Sequence, residues 1–521
     1  MIRALLWLVP GLALAPAPTS RPRLVVVIVV DQLRPDYLDR YRPQLQGGFP
    51  MLLKQGASFT EAYQDHAVTE TAPGHASILS GRWPAHTGII SNVSGVVDST
   101  TPLIGFPGPG ASPARFQGTT FFDWLKAAQP EARALSVSRK DRGAILPIGR
   151  ARQSVYWYES GYFTTSRYYA DSLPLWVRAF NARRAPFRAA GAIWNLLLPA
   201  RDYPEPDSVP YENGGANFTF PHRLPTDSSQ AAVALAGVPS MDSLTLAFAL
   251  EGVRALQLGG RGATDLLSVS LSTTDAVGHA FGPDSREIHD QVVRLDRYLG
   301  WFLQQLFVRY GKDNVLVALT SDHGVTPFPE RSRALGHSRA VRVIPDSVIA
   351  NVNAALDQRV RGADWVQFET GMVLLPARAQ LAAEGVNVDS VITDVAARLR
   401  VLPGVARVDR PRDLAAADAT EPVVRRWVHQ VPPGGDVELV VTLTPYSIWG
   451  VPNLPIAMHG QPTDLDAHVP LILWGEGVRH GVYDRRVSTV DIAPTLARLL
   501  ELTPAERLDG RPLTEALEAE R

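Results

Sequence analysis

The sequence predicts an α/β protein with a mostly parallel central sheet and helices on both of its faces. Three observations predict this fold class: continuous apolar strand candidates, polar residues at their carboxyl ends, and long helical patterns between them. The first candidate strand, residues 23–30, begins with Arg23 and continues as an unbroken Val/Ile/Leu run up to Asp31. Such runs are typical of parallel strands that are covered on both faces.

Three more apolar runs are predicted as strands, and two of them lead into another acidic residue. Residues 265–272 precede Asp275, residues 314–320 precede Asp322, and residues 469–474 precede a glycine. Helical patterns lie between the strand candidates, notably at 286–310 and 490–500. Because open α/β sheets bind ligands at the carboxyl ends of their strands, we expect the functional site at that edge.

Two segments interrupt the alternation of strands and helices. Residues 149–239 are rich in aromatic residues, Pro and Asn and contain no long periodic stretch, which predicts an inserted loop-rich cap. Residues 341–433 contain a strand-like stretch at 365–375 and a helical one at 388–399, which predicts a small α+β insertion. The predicted core then comprises residues 19–148, 240–340 and 434–521.

Composition excludes several classes of function. The chain has 521 residues and a formal net charge of −1, so there is no electrostatic reason to expect a nucleic-acid or anionic-membrane partner. It has no cysteine, which rules out disulfides, thiolate metal sites and a cysteine nucleophile.

Residues 1–18 resemble a signal peptide, since their apolar run is shorter than the roughly 20 residues that span a membrane. We therefore expect a periplasmic or secreted monomer without stable membrane insertion.

Histidines close to the strand-end carboxylates suggest a metal centre. Asp275 and His279 are four residues apart, a spacing that puts both on one face of a helix, and Asp322 is followed directly by His323. Each pair by itself fits a capped turn with a surface histidine as well as it fits a metal site. Together with Asp31 they make five His and carboxylate ligands, one short of two catalytic zinc sites with three protein ligands each. A late histidine would supply the sixth, and the residues leave His459 and His468 as candidates.

Thr71 is the candidate nucleophile. Pro73 suits a first helical turn, so Thr71 is predicted to cap a helix N-terminus, where free N–H groups favour anions. An ordinary threonine cap is the commoner use of such a residue. A hydroxyl becomes nucleophilic at neutral pH when a base or a metal stabilises its alkoxide, and two metals about 4 Å apart could do so. His75, in the same turn, is expected to be a structural hydrogen-bonding residue.

Six motifs, in the same order along the chain, resemble the alkaline phosphatase superfamily. They are VDQLRPDY at 30–37, TETAPGH at 69–75, GIISN at 88–92, DAVGH at 275–279, SDHG at 321–324 and DIAPT at 491–495. The resemblance implies an alkaline-phosphatase-like sheet with two Zn²⁺ ions. One ion would be held by Asp31, Asp322, His323 and the Thr71 oxygen, and the other by Asp275, His279 and His459, which has the family's His-Gly context.

Lys140 and Arg142 distinguish between branches of this superfamily. The Cys/Ser-x-Pro-x-Arg motif of its sulfatases is absent, and Thr71 with Asn92 resembles the phosphate-irrepressible bacterial alkaline phosphatases and the nucleotide pyrophosphatases/phosphodiesterases. In an extended segment Lys140 and Arg142 would project to one side and suit a dianionic phosphoryl group. A solvated basic turn is the alternative interpretation. The resemblance implies that Lys140, Arg142 and Asn92 bind the phosphoryl oxygens, with Lys140 in place of a third, magnesium ion.

The sequence thus predicts a zinc-dependent phosphomonoesterase that acts on small phosphate monoesters through a phosphothreonine intermediate on Thr71. A phosphodiesterase or nucleotide pyrophosphatase with the same metals is the alternative, because aromatic residues at 156–169 could stack a nucleobase. A non-catalytic periplasmic binding protein is a third possibility. The intact ligand set and Thr71 argue against it.

Overall fold

The computed structural model describes residues 21–362, 364–452 and 454–518. The predicted signal peptide at 1–18 lies outside the described residues. Within the described part of the chain, no single helix is long and apolar enough to span a membrane, and one sharply bent pair, Ser228–Gly237 with Ser240–Ala255, meets those criteria only when taken together.

A ten-stranded sheet forms the centre of the described chain and confirms the predicted fold class. Its strands run mostly parallel; His468–Trp474 and Tyr162–Thr164 are antiparallel to their neighbours in the path. In spatial order the strands are Gly481–Tyr483, Ala57–Tyr63, His468–Trp474, Val315–Thr320, Leu24–Val30, Asp265–Leu271, Ala134–Ser138, Ser154–Glu159 and Tyr162–Thr164, with Val487–Ser488 also paired to Ala57–Tyr63. All four strands predicted from apolar runs belong to this sheet.

Helices cover both faces of the sheet because its central strands are apolar on both. In Leu24–Val30 every residue is at most 1% exposed, with Leu24, Val26, Ile28 and Val30 in one core and the alternating valines in the other. Burying each such side chain contributes about 1.5–3 kcal/mol. The first core includes helices Gly48–Gln55, Ser240–Ala255 and Arg286–Tyr310, and the second includes Thr71–Ser80, Phe121–Ala128 and Ile492–Leu499.

The segment predicted as a loop-rich cap differs from that prediction at its beginning. Strand Ser154–Glu159 pairs in parallel with Ala134–Ser138, and Tyr162–Thr164 extends the sheet beyond it. Tyr156 and Trp157 are buried there, so these aromatic residues belong to the core. The remainder contains helices Leu175–Ala182 and Ser228–Ala234, a two-stranded ribbon of Ile193–Trp194 with His222–Arg223, and irregular chain.

A second, antiparallel sheet forms most of the predicted α+β insertion and has its own apolar core. Its strands, in spatial order, are Gln367–Glu369, Met372–Leu374, Val437–Leu443 and Val405–Asp409, so it extends past the predicted boundary at 433. The predicted strand at 365–375 is a hairpin, because Thr370 and Gly371 adopt positive φ and turn the chain. Its helices are Asp346–Asp357, Arg378–Ala383, Val388–Arg400, Pro411–Leu414 and Pro422–Gln430.

The remaining helices have four to nine residues, and the longest of them is Thr273–Phe281. They are Pro35–Arg40, Pro84–Thr87, Asp141–Ile145, Thr273–Phe281, Pro329–Ala334 and Asp464–Ala467. The division of the chain into core and insertions stays a prediction.

Candidate two-metal active site

The candidate site lies at the carboxyl edge of the central strands. Asp31 directly follows Leu24–Val30, and its N–H donates to the carbonyl of Leu271 at the end of the neighbouring strand. Asp322 follows Val315–Thr320 on the other side. With Asp275, which follows strand Asp265–Leu271, three adjacent strands therefore deliver acidic residues to one edge, as expected of an open α/β sheet.

Asp31, Asp322 and His323 form the first of two groups that can hold a metal. Their ligand atoms lie within 4.8 Å of one another, and all three residues are fully buried. His323 Nε2 lies 3.4 Å from Asp31 Oδ1 and 3.7 Å from Asp322 Oδ2. His323 Nε2 and Asp31 Oδ1 have no hydrogen-bond partner within the described chain. Buried groups of this kind normally have partners, so these atoms suit a cation.

Asp275, His279 and His459 form the second group. Helix Thr273–Phe281 holds Asp275 and His279 one turn apart, and His279 Nε2 lies 3.2 Å from Asp275 Oδ1. His459 Nε2 lies 3.2 Å from His279 Nε2 and 3.6 Å from Asp275 Oδ1. Residues 275 and 459 are thus brought together from distant parts of the chain.

The three histidines are oriented in the manner of metal ligands. The Nδ1 atoms of His279, His323 and His459 lie within hydrogen-bond distance of the carbonyls of Ala457, Gly324 and Thr69, at 2.6, 2.9 and 2.8 Å. A carbonyl only accepts, so each Nδ1 carries a proton, and in the neutral imidazole each Nε2 then presents a lone pair to the site. Two such lone pairs facing each other at 3.2 Å would repel unless a cation lies between them. The donor set therefore fits divalent metals, and zinc in particular.

Lys140 joins the two groups. Its Nζ lies 2.6 Å from Asp31 Oδ2 and 2.7 Å from Asp275 Oδ2, and donates to Thr71 Oγ1 at 3.1 Å. Burial opposes the charge of Asp275, but Lys140 and His279 hold the pKa of that carboxyl well below its usual range. Burial raises the pKa of Asp31, and the nearby carboxylates of Asp275 and Asp322 raise it further.

Thr71 and Asn92 lie at the start of one helix. Thr71 is the first residue of Thr71–Ser80 and Glu70 is the cap, so the prediction that Thr71 caps this helix is wrong by one position. The Ala72 N–H donates to Asn92 Oδ1 at 2.9 Å, which fixes the asparagine beside the threonine. A Cβ on Gly74 would lie 2.3 Å from the Asp322 carbonyl oxygen, so this glycine lets the helix approach the loop that carries Asp322 and His323.

Among the described residues, Arg142 makes no hydrogen bond or ion pair with either ligand group or with Thr71, so its role stays a prediction. Lys140 is extended, but Asp141–Ile145 is a helix, so the predicted extended segment is wrong from Asp141 onward. Asp141 lies in the first turn, where a carboxylate favours a helix. The Arg142 side chain contacts Asp141, with Nη1 3.5 Å from Oδ1.

His459 and His468 were both candidates for the last ligand, and only His459 lies in the cluster. His468 begins a strand, and its Nε2 contacts the Thr60 carbonyl at 2.7 Å. His75 matches the structural role expected of it. Its Nδ1 contacts the Thr71 carbonyl at 2.9 Å and Asp322 Oδ2 at 3.1 Å, and its Nε2 contacts Ser270 Oγ at 2.9 Å.

A comparison with known families assigns the chain. The sequence model of the type I phosphodiesterase/nucleotide pyrophosphatase family matches residues 25–403. The chain belongs to this family.

Several near-full-length relatives of this family member are bacterial alkaline phosphatases by name. It is 33% identical to alkaline phosphatase PhoV of Synechococcus elongatus, over 96% of this chain and 94% of PhoV. It is 32% identical to alkaline phosphatase PafA of Elizabethkingia meningoseptica, over 95% of each chain. These matches confirm the resemblance found in the sequence.

Crystal structures of PafA share the fold of this phosphodiesterase-family chain. The wild-type structure superposes with a TM-score of 0.87 at 31% identity and covers 96% of this chain and 99% of that one. A second PafA structure carries substitutions of a threonine and an asparagine 21 positions apart, and of a lysine and an arginine two positions apart.

No role was predicted from the sequence for two residues of the site, Gln32 and Glu70. Gln32 donates its side-chain amide to Asp275 Oδ1 at 3.0 Å, and its N–H to Asp322 Oδ1 at 3.2 Å. Glu70 Oε2 accepts the N–H of Asn92 at 2.7 Å. Gln32 and Glu70 adjoin Asp31 and Thr71 in sequence, and that adjacency was the available signal.

A cavity of about 530 Å³ lies beside Lys140, at the ends of two neighbouring strands. Arg139, Phe106 and Trp157 are among its lining residues. Arg139 Nη2 lies 3.9 Å from Asp275 Oδ2, so the cavity adjoins the second ligand group. It offers an apolar and aromatic wall next to a cationic one.

Proposed function

We propose that this protein is a zinc-dependent alkaline phosphatase that hydrolyses phosphate monoesters through a phosphothreonine intermediate on Thr71. The observation that carries the proposal is the pair of three-ligand groups linked by Lys140, whose ammonium also contacts the Thr71 hydroxyl. Identity of 32–33% over nearly the full length to named alkaline phosphatases makes the chain a phosphoric monoester hydrolase, as predicted.

Two zinc ions are the proposed cofactors. Asp31, Asp322 and His323 would hold one together with the Thr71 oxygen, and Asp275, His279 and His459 would hold the other. Bound there, zinc would lower the pKa of a coordinated hydroxyl and stabilise charge on the leaving oxygen. The buried Nε2 lone pairs and the carboxylate oxygens support this assignment.

Thr71 is the proposed nucleophile. Its Oγ1 forms a bond to phosphorus as the bond from phosphorus to the ester oxygen breaks, and the alcohol leaves. Water then attacks the phosphothreonine from the vacated side, which frees Thr71 and releases phosphate. Two in-line displacements would retain configuration at phosphorus.

Asn92, Lys140 and Arg142 are proposed to hold the phosphoryl oxygens. Asn92 Oδ1 accepts the Ala72 N–H, so its amide nitrogen is left to donate to substrate. A dianionic monoester presents more negative charge to the Lys140 and Arg142 side chains than a diester does, which favours hydrolysis of monoesters. Thr71 and Asn92 here are 21 positions apart and Lys140 and Arg142 two apart, the spacings of the four residues substituted in the PafA variant. That agreement supports their assignment as a functional set.

A phosphodiesterase or nucleotide pyrophosphatase is the second candidate, favoured by the family match and by the partly aromatic cavity beside Lys140. Hydrolysis rates on an aryl phosphate and on a bis-aryl phosphate, each with and without a chelator, distinguish the two. We expect the monoester to be hydrolysed much faster and both activities to vanish with the chelator. A faster diester reaction would favour the second candidate, and activity unaffected by chelator would contradict the metal proposal.

We also propose that the protein works in the periplasm or outside the cell. The N-terminal sequence supports this, and N-terminal sequencing of the exported protein would test it.

A further inference from the structure

The turn of one hairpin in the α+β insertion reaches the candidate active site. Thr370 and Gly371 join strands Gln367–Glu369 and Met372–Leu374. Thr370 Oγ1 donates to Glu70 Oε1 at 2.6 Å, across a sequence separation of 300 residues. The residue before it, Glu369, accepts the hydroxyl of Ser91 at 2.6 Å. Two short hydrogen bonds thus connect the hairpin to the segments that carry Thr71 and Asn92.

Glu70 passes this contact on to Asn92. Its second carboxylate oxygen, Oε2, accepts the Asn92 N–H at 2.7 Å. Asn92 in turn accepts the Ala72 N–H through Oδ1 at 2.9 Å. The backbone and side chain of Asn92 are therefore both held, and Thr370 is the outer end of the chain of contacts that holds them.

The backbone of Thr370 is strained. Its φ is +40°, and that of Gly371 is +85°. Two-residue hairpin turns with positive φ favour Asn-Gly, Asp-Gly or Gly-Gly, and a β-branched residue in this region is a genuine outlier. Such residues cluster at functional sites, where the surrounding structure enforces them. Here the disfavoured residue is the one whose hydroxyl reaches Glu70.

Thr370 also contacts the opposite side of the site. A Cβ on Gly460 would lie 2.5 Å from Thr370 Cγ2, so the methyl group packs against the backbone that follows His459. The Gly460 N–H donates to Thr69 Oγ1 at 3.2 Å. The tip of the hairpin therefore lies between the nucleophile segment and the segment of the last metal ligand.

We infer that Thr370 and Glu70 are positioning residues that hold Asn92 in the orientation needed to donate to a phosphoryl oxygen. The inference rests on the proposed function, because it takes Asn92 as a substrate-binding residue. The α+β insertion is then part of the catalytic apparatus, since it supplies the hydroxyl that aligns Glu70.

Replacing Thr370 with glycine tests the inference, since glycine accepts positive φ and removes only the side chain. We expect kcat on an aryl phosphate to fall about tenfold, which corresponds to about 1.4 kcal/mol, the net worth of one hydrogen bond. KM should change less than about twofold, and Thr370→Ser should restore kcat. Gln257→Gly is the matched control, because Gln257 is an exposed residue whose φ is also positive, at +53°. It lies two residues before Gly259, which adjoins Arg23 just before the first central strand, whereas the candidate site lies at the carboxyl ends of the strands. We expect it to leave kcat unchanged.

The Asn92→Ala background separates positioning from a general structural effect. If Thr370 acts through Asn92, Thr370→Gly should lower kcat less than about twofold once Asn92 is alanine, because the two losses are then coupled. A tenfold loss in both backgrounds, or failure of Thr370→Ser to restore kcat, would overturn the inference. Absence of monoester hydrolysis by the wild-type protein would instead contradict the proposed function. If the wild-type protein hydrolyses monoesters and Thr370→Gly has the same kcat, only the inference is contradicted.

Discussion

Lys140→Ala is expected to destabilise the metal-free protein far more than the zinc-loaded protein. The ammonium lies 2.6 Å from Asp31 Oδ2 and 2.7 Å from Asp275 Oδ2, and these carboxylates are 0% and 3% exposed. At an effective dielectric constant of about 20, two unit charges about 2.7 Å apart attract by about 6 kcal/mol, and desolvation offsets part of that.

The expected loss follows from these contacts. Removing one partner of a buried ion pair costs about 3–5 kcal/mol, and we expect a loss of that size when a chelator is present. With zinc bound, the metal compensates the same carboxylates. The loss should then fall to about 1 kcal/mol, the worth of the hydrogen bond from Lys140 to Thr71 Oγ1.

Urea unfolding followed by tryptophan fluorescence, with chelator and with zinc, measures the difference. Lys126→Ala is the matched control, because the Lys126 ammonium bonds only to backbone carbonyls among the described residues. Its effect should be small and equal in both conditions. Equal losses for Lys140→Ala with and without zinc would refute the assignment of Lys140 as a charge bridge between two metal-ligand groups.

Three further predictions concern turnover, substrate preference and pH. Thr71→Ala should abolish phosphate release without changing the zinc content measured by elemental analysis; full activity would remove Thr71 as nucleophile. Replacing Lys140 and Arg142 together by alanine should lower kcat/KM for an aryl phosphate far more than for a bis-aryl phosphate, and equal losses would mean that the pair does not set the preference. Burial, with the neighbouring Glu287, raises the pKa of Glu212 to about 9. Because this carboxyl binds its proton more tightly in the folded protein, the free energy of unfolding of the protein decreases as pH rises from the unfolded pKa, about 4.3, to about 9. Glu212→Gln should therefore be more stable than the wild type in urea at pH 9, with a smaller difference at pH 5, and the opposite trend would contradict the pKa direction.

The sequence predicted the parts of the site that local pattern determines. The apolar run that forms Leu24–Val30 ends at Asp31 in the structure as expected. The four-residue spacing of Asp275 and His279 became one face of helix Thr273–Phe281. Both predictions rest on periodicity over fewer than ten residues, where the preference of the chain and the final fold agree.

Other features depend on contacts between distant segments. The choice between His459 and His468 is made by strand pairing, which places His468 beside Thr60 and leaves His459 to meet His279. The contact of Thr370 with Glu70 joins residues 300 positions apart. No local pattern encodes the contact of Thr370 with Glu70, so it could not be predicted from a single sequence, whereas His459 was indicated by its resemblance to a family motif.

Metal content of the purified protein tests the central claim most directly. Elemental analysis should find two zinc ions per chain, one for each three-ligand group. His459→Ala should retain about one, since it removes a ligand from the second group only. Protein that is active but contains no divalent metal, or a His459→Ala variant that retains the full zinc content, would contradict the two-metal account.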